Sequence, residues 1–389
     1  MKITNIESYV LLVPDYDSQA CSSAQDDIVV KILTDEGIVG IGETDTNPWA
    51  TKAYIESPGT HIMALGVREL LMGQDPLQPE ALWDRMYTAT AMPGRRGLGI
   101  CAMGALDMAL WDIKGKALQK PIWELLGGAR RTKIHPYASL LPNGNTLDAY
   151  SSNLQEKLLQ AKKYGFTAAK LEVCVNGPYS HNGLQEADSE VTKIVASCRE
   201  AVGPNMTLMV DVAYAWNDWR TALQVIETLE PYDIYFVETP VATDDLDGYA
   251  KLARRSPIRI AAGEWLQTRF EFQDLIDRGH IDVAQPDIGR VGGITEAKRV
   301  TEYAALRGRL MTPHCWKTGI GIAASAQLAA ASSNCPFIEY LPGELSESAI
   351  RKELVKDELK MVQGEIDLPQ KPGLGIDLDE AAIQKYRVK

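Results

Sequence analysis

Six cysteines are scattered through the chain without a single Cys-x-x-Cys pair, so neither a zinc site nor a disulfide framework is indicated and reduced cytoplasm is the expected compartment. No apolar stretch approaches the ~20 residues of a membrane span. The opening Met1-Lys-Ile-Thr-Asn-Ile-Glu alternates like a strand and lacks a signal-peptide core. Lys/Arg-rich runs are missing and the net charge is −12, which makes nucleic acid and anionic membrane surfaces poor partners. The glycine-rich Gly289-Arg-Val-Gly-Gly293 lacks the Lys-Ser/Thr of a phosphate loop and reads as the turn into a helix.

What is present is organised. With 389 residues, 45% hydrophobic and 24% charged, the chain fits a globular protein of two domains, one with room for a barrel of ~250 residues. Residues 2–13 and 27–45 read as strands, with Asp35-Glu36-Gly37 as a hairpin turn. Helical spacing follows over 99–117 through Ala105, Leu106, Ala109, Leu110 and Ile113. Strands first and helices after suggest an α+β domain over residues 1–125. From residue 134 strand and helix alternate: strands at 134–140 and 167–173, then six more, making eight. A barrel over 126–350 is expected, with 351–389 packing back on the first domain.

Those six later runs each end on a carboxylate or an imidazole. They stop at Asp211, Glu238, Glu264, Asp287, His314 and Glu339, at intervals of roughly 23–27 residues, the length of a strand–helix unit. Charge at the end of strand after strand is costly unless used. In a (β/α)8 barrel such ends converge on the catalytic face.

Asp211, Glu238 and Glu264 fall on neighbouring strands and would repel one another unless a cation neutralised them. One such carboxylate alone is more often an ordinary surface or salt-bridged group. Three in register favour a metal, Mg²⁺ first and Mn²⁺ second, because all-oxygen ligands suit hard ions. Asp287 and His314 end the next two strands, where a carboxylate accepting from an imidazole makes a proton shuttle. Lys170 and Glu172 lie two apart and so share one face of the second strand; a buried ion pair is their plain structural explanation. Glu339 closes the ring near Lys170 and, if protonated, could hydrogen-bond a bound carboxylate.

Other features carry less. His181-Asn182 is a loop within reach of substrate, and Trp265 and Trp316 are candidate pocket walls, though packing alone explains them. Arg95-Arg96 reads as a helix-entry loop with solvated charge. His61, His135 and His280 receive no role.

Taken together these residues resemble the enolase superfamily, in its mandelate racemase subgroup. The resemblance spans nearly the whole chain: Ala105-Leu-Asp-Met-Ala-Leu-Trp-Asp-Ile-Lys-Gly-Lys-Ala, Pro121-Ile-Trp-Glu-Leu-Leu-Gly-Gly128, the three carboxylates, Gln285-Pro-Asp287, Pro313-His314 and Ile338-Glu339. It implies an α/β fold, a modified (β/α)8 TIM barrel with an α+β capping domain built from both termini. It also implies Mg²⁺ on Asp211, Glu238 and Glu264, and a reaction that begins by removing the proton α to a substrate carboxylate.

One departure is informative. Racemase-type members carry Lys-x-Lys on the second strand, whereas this chain has Lys170-Leu-Glu172. Inversion of a carbon needs acid/base groups on both faces, but β-elimination needs only one. By resemblance, members lacking the second lysine are mostly sugar-acid dehydratases. The expectation is therefore a dehydratase acting on a small anionic sugar acid, with L-lyxonate or a galactonate to try first. His314, tuned by Asp287, would be base and then acid; Lys170 would bind the carboxylate; Glu339 would donate to the enediolate; Glu172 would hold a substrate hydroxyl. A racemase, epimerase or cycloisomerase, with Lys170 or Glu172 as the opposite-face base, is the second expectation, and a non-catalytic binding or structural protein the third. Specificity is expected from loops around 15–26 and 44–60, and the resemblance favours a homo-oligomer.

Overall fold

Three antiparallel strands, β1 (Ile3–Leu12), β2 (Asp26–Thr34) and β3 (Val39–Thr44), open the computed structural model, which describes residues 1–18, 23–346 and 348–388. Part of the expected 15–26 specificity loop therefore lies outside the described residues. Gly37 makes the β2–β3 turn at φ 79°, a conformation costly for residues with a Cβ. The sheet lies on the helix Leu98–Leu118 so closely that a Cβ on Gly42 would sit 2.0 Å from Ala105 O. That helix is buried on nearly every side because its other face rests on the barrel.

The short β4 (Lys133–Ile134) precedes the eight barrel strands. These are β5 (Pro136–Leu140), β6 (Ala168–Glu172), β7 (Thr207–Asp211), β8 (Ile234–Glu238), β9 (Arg259–Ala262), β10 (Val283–Ala284), β11 (Leu310–Met311) and β12 (Ile338–Tyr340). They form one parallel curled sheet in chain order, with β12 returning to pair with β5. No ladder links β11 to β12 among the described residues; Cys315 N reaches across to Glu339 Oε2 at 2.8 Å. One inward residue from each of β5 to β10 (Tyr137, Ala168, Met209, Phe236, Ala261, Val283) packs an apolar floor.

The expected first barrel strand, 134–140, is in fact two. Ile134 pairs outward with Ile366 of β14 (Glu365–Asp367), which forms a hairpin with β13 (Met361–Val362); Pro136 then starts the barrel strand. The late strands are much shorter than their apolar runs suggested. Pro286 and Pro313 offer no N–H to a ladder, so β10 and β11 stop early and Asp287 and His314 ride on the loops beyond. Glu264 likewise lies past β9, delivered by Gly263 at φ 124°. The terminal segment touches both layers: Val388 N donates to Val10 O at 2.9 Å in the cap, and Gln327 Nε2 of the barrel donates to Gly373 O at 3.0 Å.

Buried polar contacts bind cap to barrel. Glu43, on β3, accepts from Gly321 N at 2.7 Å, Thr318 N at 3.2 Å and Thr318 Oγ1 at 2.6 Å. Its carboxylate thus caps the N-terminus of the barrel helix Gly319–Ala330, where unpaired N–H groups and the helix dipole favour a negative charge. Asp107 of the long cap helix takes Thr295 N at 2.8 Å and Thr295 Oγ1 at 2.7 Å.

Candidate active site

Strand register places three carboxylates at one level: Glu172 pairs with Asp211, and Asp211 with Glu238. All three side chains are buried. Lys170, one inward position below Glu172, reaches Glu339 at 2.8 Å, Glu238 at 3.0 Å and Asp211 at 3.4 Å. Burial alone would pull the Lys170 ammonium down. Glu238 and Glu339 outweigh it and hold the group charged, well above its ordinary range. Glu339 is pushed up by burial but pulled further down by Lys170 and His314, so it is a carboxylate that accepts. The hydrogen-bond donor expected from the sequence needs a protonated Glu339, whereas Lys170 and His314 favour its ionised form. Burial, and then Asp211, drive both Glu172 and Glu238 well above the usual carboxylate range.

Beyond the shortened strands, His314 Nδ1 meets Asp287 Oδ2 at 2.8 Å, while Nε2 lies 3.1 Å from Glu264 Oε2 and 4.0 Å from Glu339 Oε2. An imidazole donating to Asp287 from Nδ1 keeps Nε2 for exchange of a proton at the barrel mouth. Burial lowers the His314 pKa, but Glu339, Asp287 and Glu264 together raise it above its usual value. The eight residues singled out in the sequence thus come together, with Lys170 on Oε1 of Glu339 and His314 nearest its Oε2.

Arg290 was not anticipated. Its segment, read as a turn, is a one-turn helix (Ile288–Val291) capped by Asp287 and broken at left-handed Gly292. The guanidinium donates from Nε to Asp45 O at 3.0 Å, pairs with the Asp45 carboxylate, and directs Nη1 at Glu264 Oε2, 3.5 Å away. Lys317 joins the same chain through Asp26 at 2.7 Å and Asp45 at 3.2 Å. The only signal in the sequence was Asp287-x-x-Arg290, a cap and its first turn. Arg96 also differs from expectation: it is half-buried and its Nε pairs with Glu271 at 2.9 Å, so it ties cap to barrel instead of being merely solvated.

A cavity of about 490 Å³ opens beside this centre, walled by Ser139, His181, Trp316, Lys317, Leu341 and Arg351. Ser139 pairs in register with Lys170, so the cavity adjoins the strand that carries Lys170, although none of the eight site residues lines it. Trp265 stacks on Tyr214 at 4.2 Å and faces a separate cleft with Arg290. His181 is buried, whereas Asn182 is exposed.

Asp211, Glu238 and Glu264 suit a hard dication by donor type and by the surplus of buried negative charge around them. They are not drawn into a tight cluster, because cationic and amide partners divide them. Lys170 and Gln285 hold Glu238, the latter at 2.6 Å, while Arg290 and His314 flank Glu264.

A curled eight-stranded parallel barrel whose acidic mouth is closed by an α+β cap defines an enolase-type enzyme. Residues 6–127 match the mandelate racemase / muconate lactonizing enzyme N-terminal domain, and residues 153–382 the enolase C-terminal domain-like family. The chain belongs to this family, the mandelate racemase subgroup of the enolase superfamily, whose members bind Mg²⁺. It is 30% identical over its whole length to D-galactarolactone cycloisomerase of Agrobacterium fabrum, covering 99% of that protein. Over 93% of its length it is 31% identical to arabinonate dehydratase of Saccharolobus solfataricus, covering 91% of that chain. Among solved structures, the 3,6-anhydro-D-galactonate cycloisomerase from Zobellia galactanivorans superposes with a TM-score of 0.86 at 32% identity, with full coverage of both chains. A racemase from Streptomyces coelicolor A3(2) with bound magnesium gives 0.83 at 25% identity, covering 99% of this chain and all of that one.

Proposed function

We propose that the protein is an acid-sugar dehydratase, a hydro-lyase that converts an aldonate into a 2-keto-3-deoxy acid. The observation that carries this reading is the asymmetry of the site. On one side stands His314, backed by Asp287. On the other, Lys170 lies within 3.4 Å of three carboxyl groups, which favour its ammonium form over the free amine a base needs. One proton shuttle on one face suffices for syn elimination and not for inversion.

In this reading Lys170 binds the substrate carboxylate and His314 Nε2 takes the α-proton. The electron pair left on the α-carbon forms the double bond as the bond to the 3-hydroxyl breaks. His314 returns its proton to that hydroxyl, which leaves as water, and the enol formed becomes the 2-keto acid. Glu172 accepts from a substrate hydroxyl. A dication held by Asp211, Glu238 and Glu264, Mg²⁺ by family membership and Mn²⁺ as a substitute, supplies positive charge where negative charge develops on the carboxylate.

Two full-length cycloisomerase relatives favour a second reading. The same single base can eliminate a ring oxygen that remains tethered to the product. A screen of aldonates, aldarates and their lactones in D₂O separates the outcomes, with L-lyxonate, galactonate and arabinonate included. A dehydratase yields a 2-keto acid lighter by one water. A cycloisomerase yields an isomer of unchanged composition, and an epimerase returns deuterated substrate of opposite configuration. The last result, without any keto acid, overturns the dehydratase assignment.

A further inference from the structure

Beyond β6 the chain runs through Val173 to Cys174 and then loops back at His181, whose N–H donates to Cys174 O at 2.8 Å. Tyr150 fixes this return. Its hydroxyl bonds Glu172 O at 2.8 Å, takes Cys174 N at 3.3 Å and lies 2.9 Å from His181 Nδ1. The loop thereby brings a carboxylate oxygen of Glu172, the thiol of Cys174 and an imidazole nitrogen of His181 within 4.8 Å of one another, all buried. It is the only such trio of His, Cys, Asp or Glu among the described residues.

The Glu172 carboxylate and the Cys174 thiol have only long contacts among the described residues, Cys174 Sγ lying 3.7 Å from Asp211 O. Among the described residues, the nearest donor to the Glu172 carboxylate is Cys174 Sγ, 4.0 Å from Oε2. Glu172 is 6% exposed, and a carboxylate so buried ordinarily has strong partners. With Nδ1 committed to Tyr150, Nε2 of His181 is the nitrogen left to bind, and Tyr150 is the kind of outer partner that orients a ligating imidazole. His181 also lines the cavity beside the active centre, which gives an ion a way in.

We propose that Glu172, Cys174 and His181 form a second cation site, selective for a borderline-soft ion, Zn²⁺, over Mg²⁺. Sulfur, nitrogen and one oxygen are the donor set of three-ligand zinc sites, with a fourth position left to water. The set is chemically distinct from the all-oxygen trio on β7, β8 and the loop after β9. On binding, the Cys174 thiol gives its proton to solvent and bonds the ion as thiolate. Because Glu172 is shared with the reactive centre, Zn²⁺ here also inhibits turnover. That last consequence depends on the dehydratase or cycloisomerase reading, whereas the binding itself does not.

The test is spectroscopic. Full-length protein in excess Mg²⁺ is titrated with Co²⁺, and the thiolate-to-cobalt charge-transfer band in the near ultraviolet is followed. The band should saturate at one equivalent per chain, disappear when Zn²⁺ is added, and be absent from Cys174→Ala. It should require at least ~10-fold more Co²⁺ in His181→Gln. Circular dichroism checks the fold of both variants, and Cys174→Ser serves if the alanine variant is unstable. No band at one equivalent in the wild type, or an undiminished band in the Cys174 variants, overturns the site. Equal Zn²⁺ inhibition of wild type and Cys174→Ala overturns the inhibitory role alone.

Discussion

His314 Nδ1 stands 2.8 Å from Asp287 Oδ2, and the other oxygen of the same aspartate accepts from Arg290 N at 3.0 Å. One carboxylate thus sets the imidazole tautomer and anchors the turn that carries Arg290 towards Glu264. Chemistry and scaffold meet in this residue.

Asp287→Asn should lower kcat/KM by roughly 10²–10⁴-fold. Losing the charged acceptor at position 287 lowers the His314 pKa, so the acid limb of the kcat/KM profile should move to lower pH while the plateau falls. His314→Asn should abolish exchange of the substrate α-proton in D₂O. Exchange that persists in that variant would identify another residue as the base.

Chelation of divalent metal, or Glu264→Gln, should abolish turnover and leave far-ultraviolet circular dichroism unchanged, because the carboxylates lie at the barrel mouth and not in its apolar floor. Full activity in excess chelator would remove the dication from the mechanism.

Glu172→Gln should raise KM more than it lowers kcat, with a loss of roughly 2–10-fold in kcat/KM for one ordinary hydrogen bond, because burial and Asp211 favour the neutral Glu172. A ~10⁴-fold fall in kcat at constant KM would instead make Glu172 an acid/base group on the second face, and would favour epimerisation.

Burial lifts the Asp107 carboxyl from 3.8 to about 7. The folded chain therefore holds this proton more tightly than the unfolded chain. The resulting stability is complete below pH 3.8 and is lost as pH rises through about 7, a change of roughly 4 kcal/mol from this group. Asp107→Asn keeps an acceptor for Thr295 N and should flatten that slope in denaturant melts between about pH 4 and pH 8.

Much of the barrel was legible because its strands are buried on both faces, so a charge at Asp211 or Glu238 stands out against apolar neighbours. Two prolines hid where the later strands stop: apolar runs such as Ile281-Asp-Val-Ala-Gln-Pro look like strands even where no N–H continues the ladder. Arg290 left only its place in the first turn after Asp287, and Asp45 and Lys317 left no signal. Their partners lie across the cap–barrel boundary, and no local spacing records a contact made hundreds of residues away. Cys174 and His181 were hidden in another way, since a scattered cysteine and a loop histidine become a trio only through the turn that Tyr150 holds.

The contacts of Glu43 and Asp45 bear on how such proteins can recombine. Both acids belong to the cap, while the groups they neutralise, the N-terminus of helix Gly319–Ala330 and the Arg290 guanidinium, belong to the barrel. A chimera that seats this barrel beneath a cap without an acid at position 45 leaves the half-buried Arg290 guanidinium only its longer contact to Glu264. Losing the acid at position 43 bares a helix end as well. Exchange of the cap alone should therefore succeed only with a cap that keeps both acids.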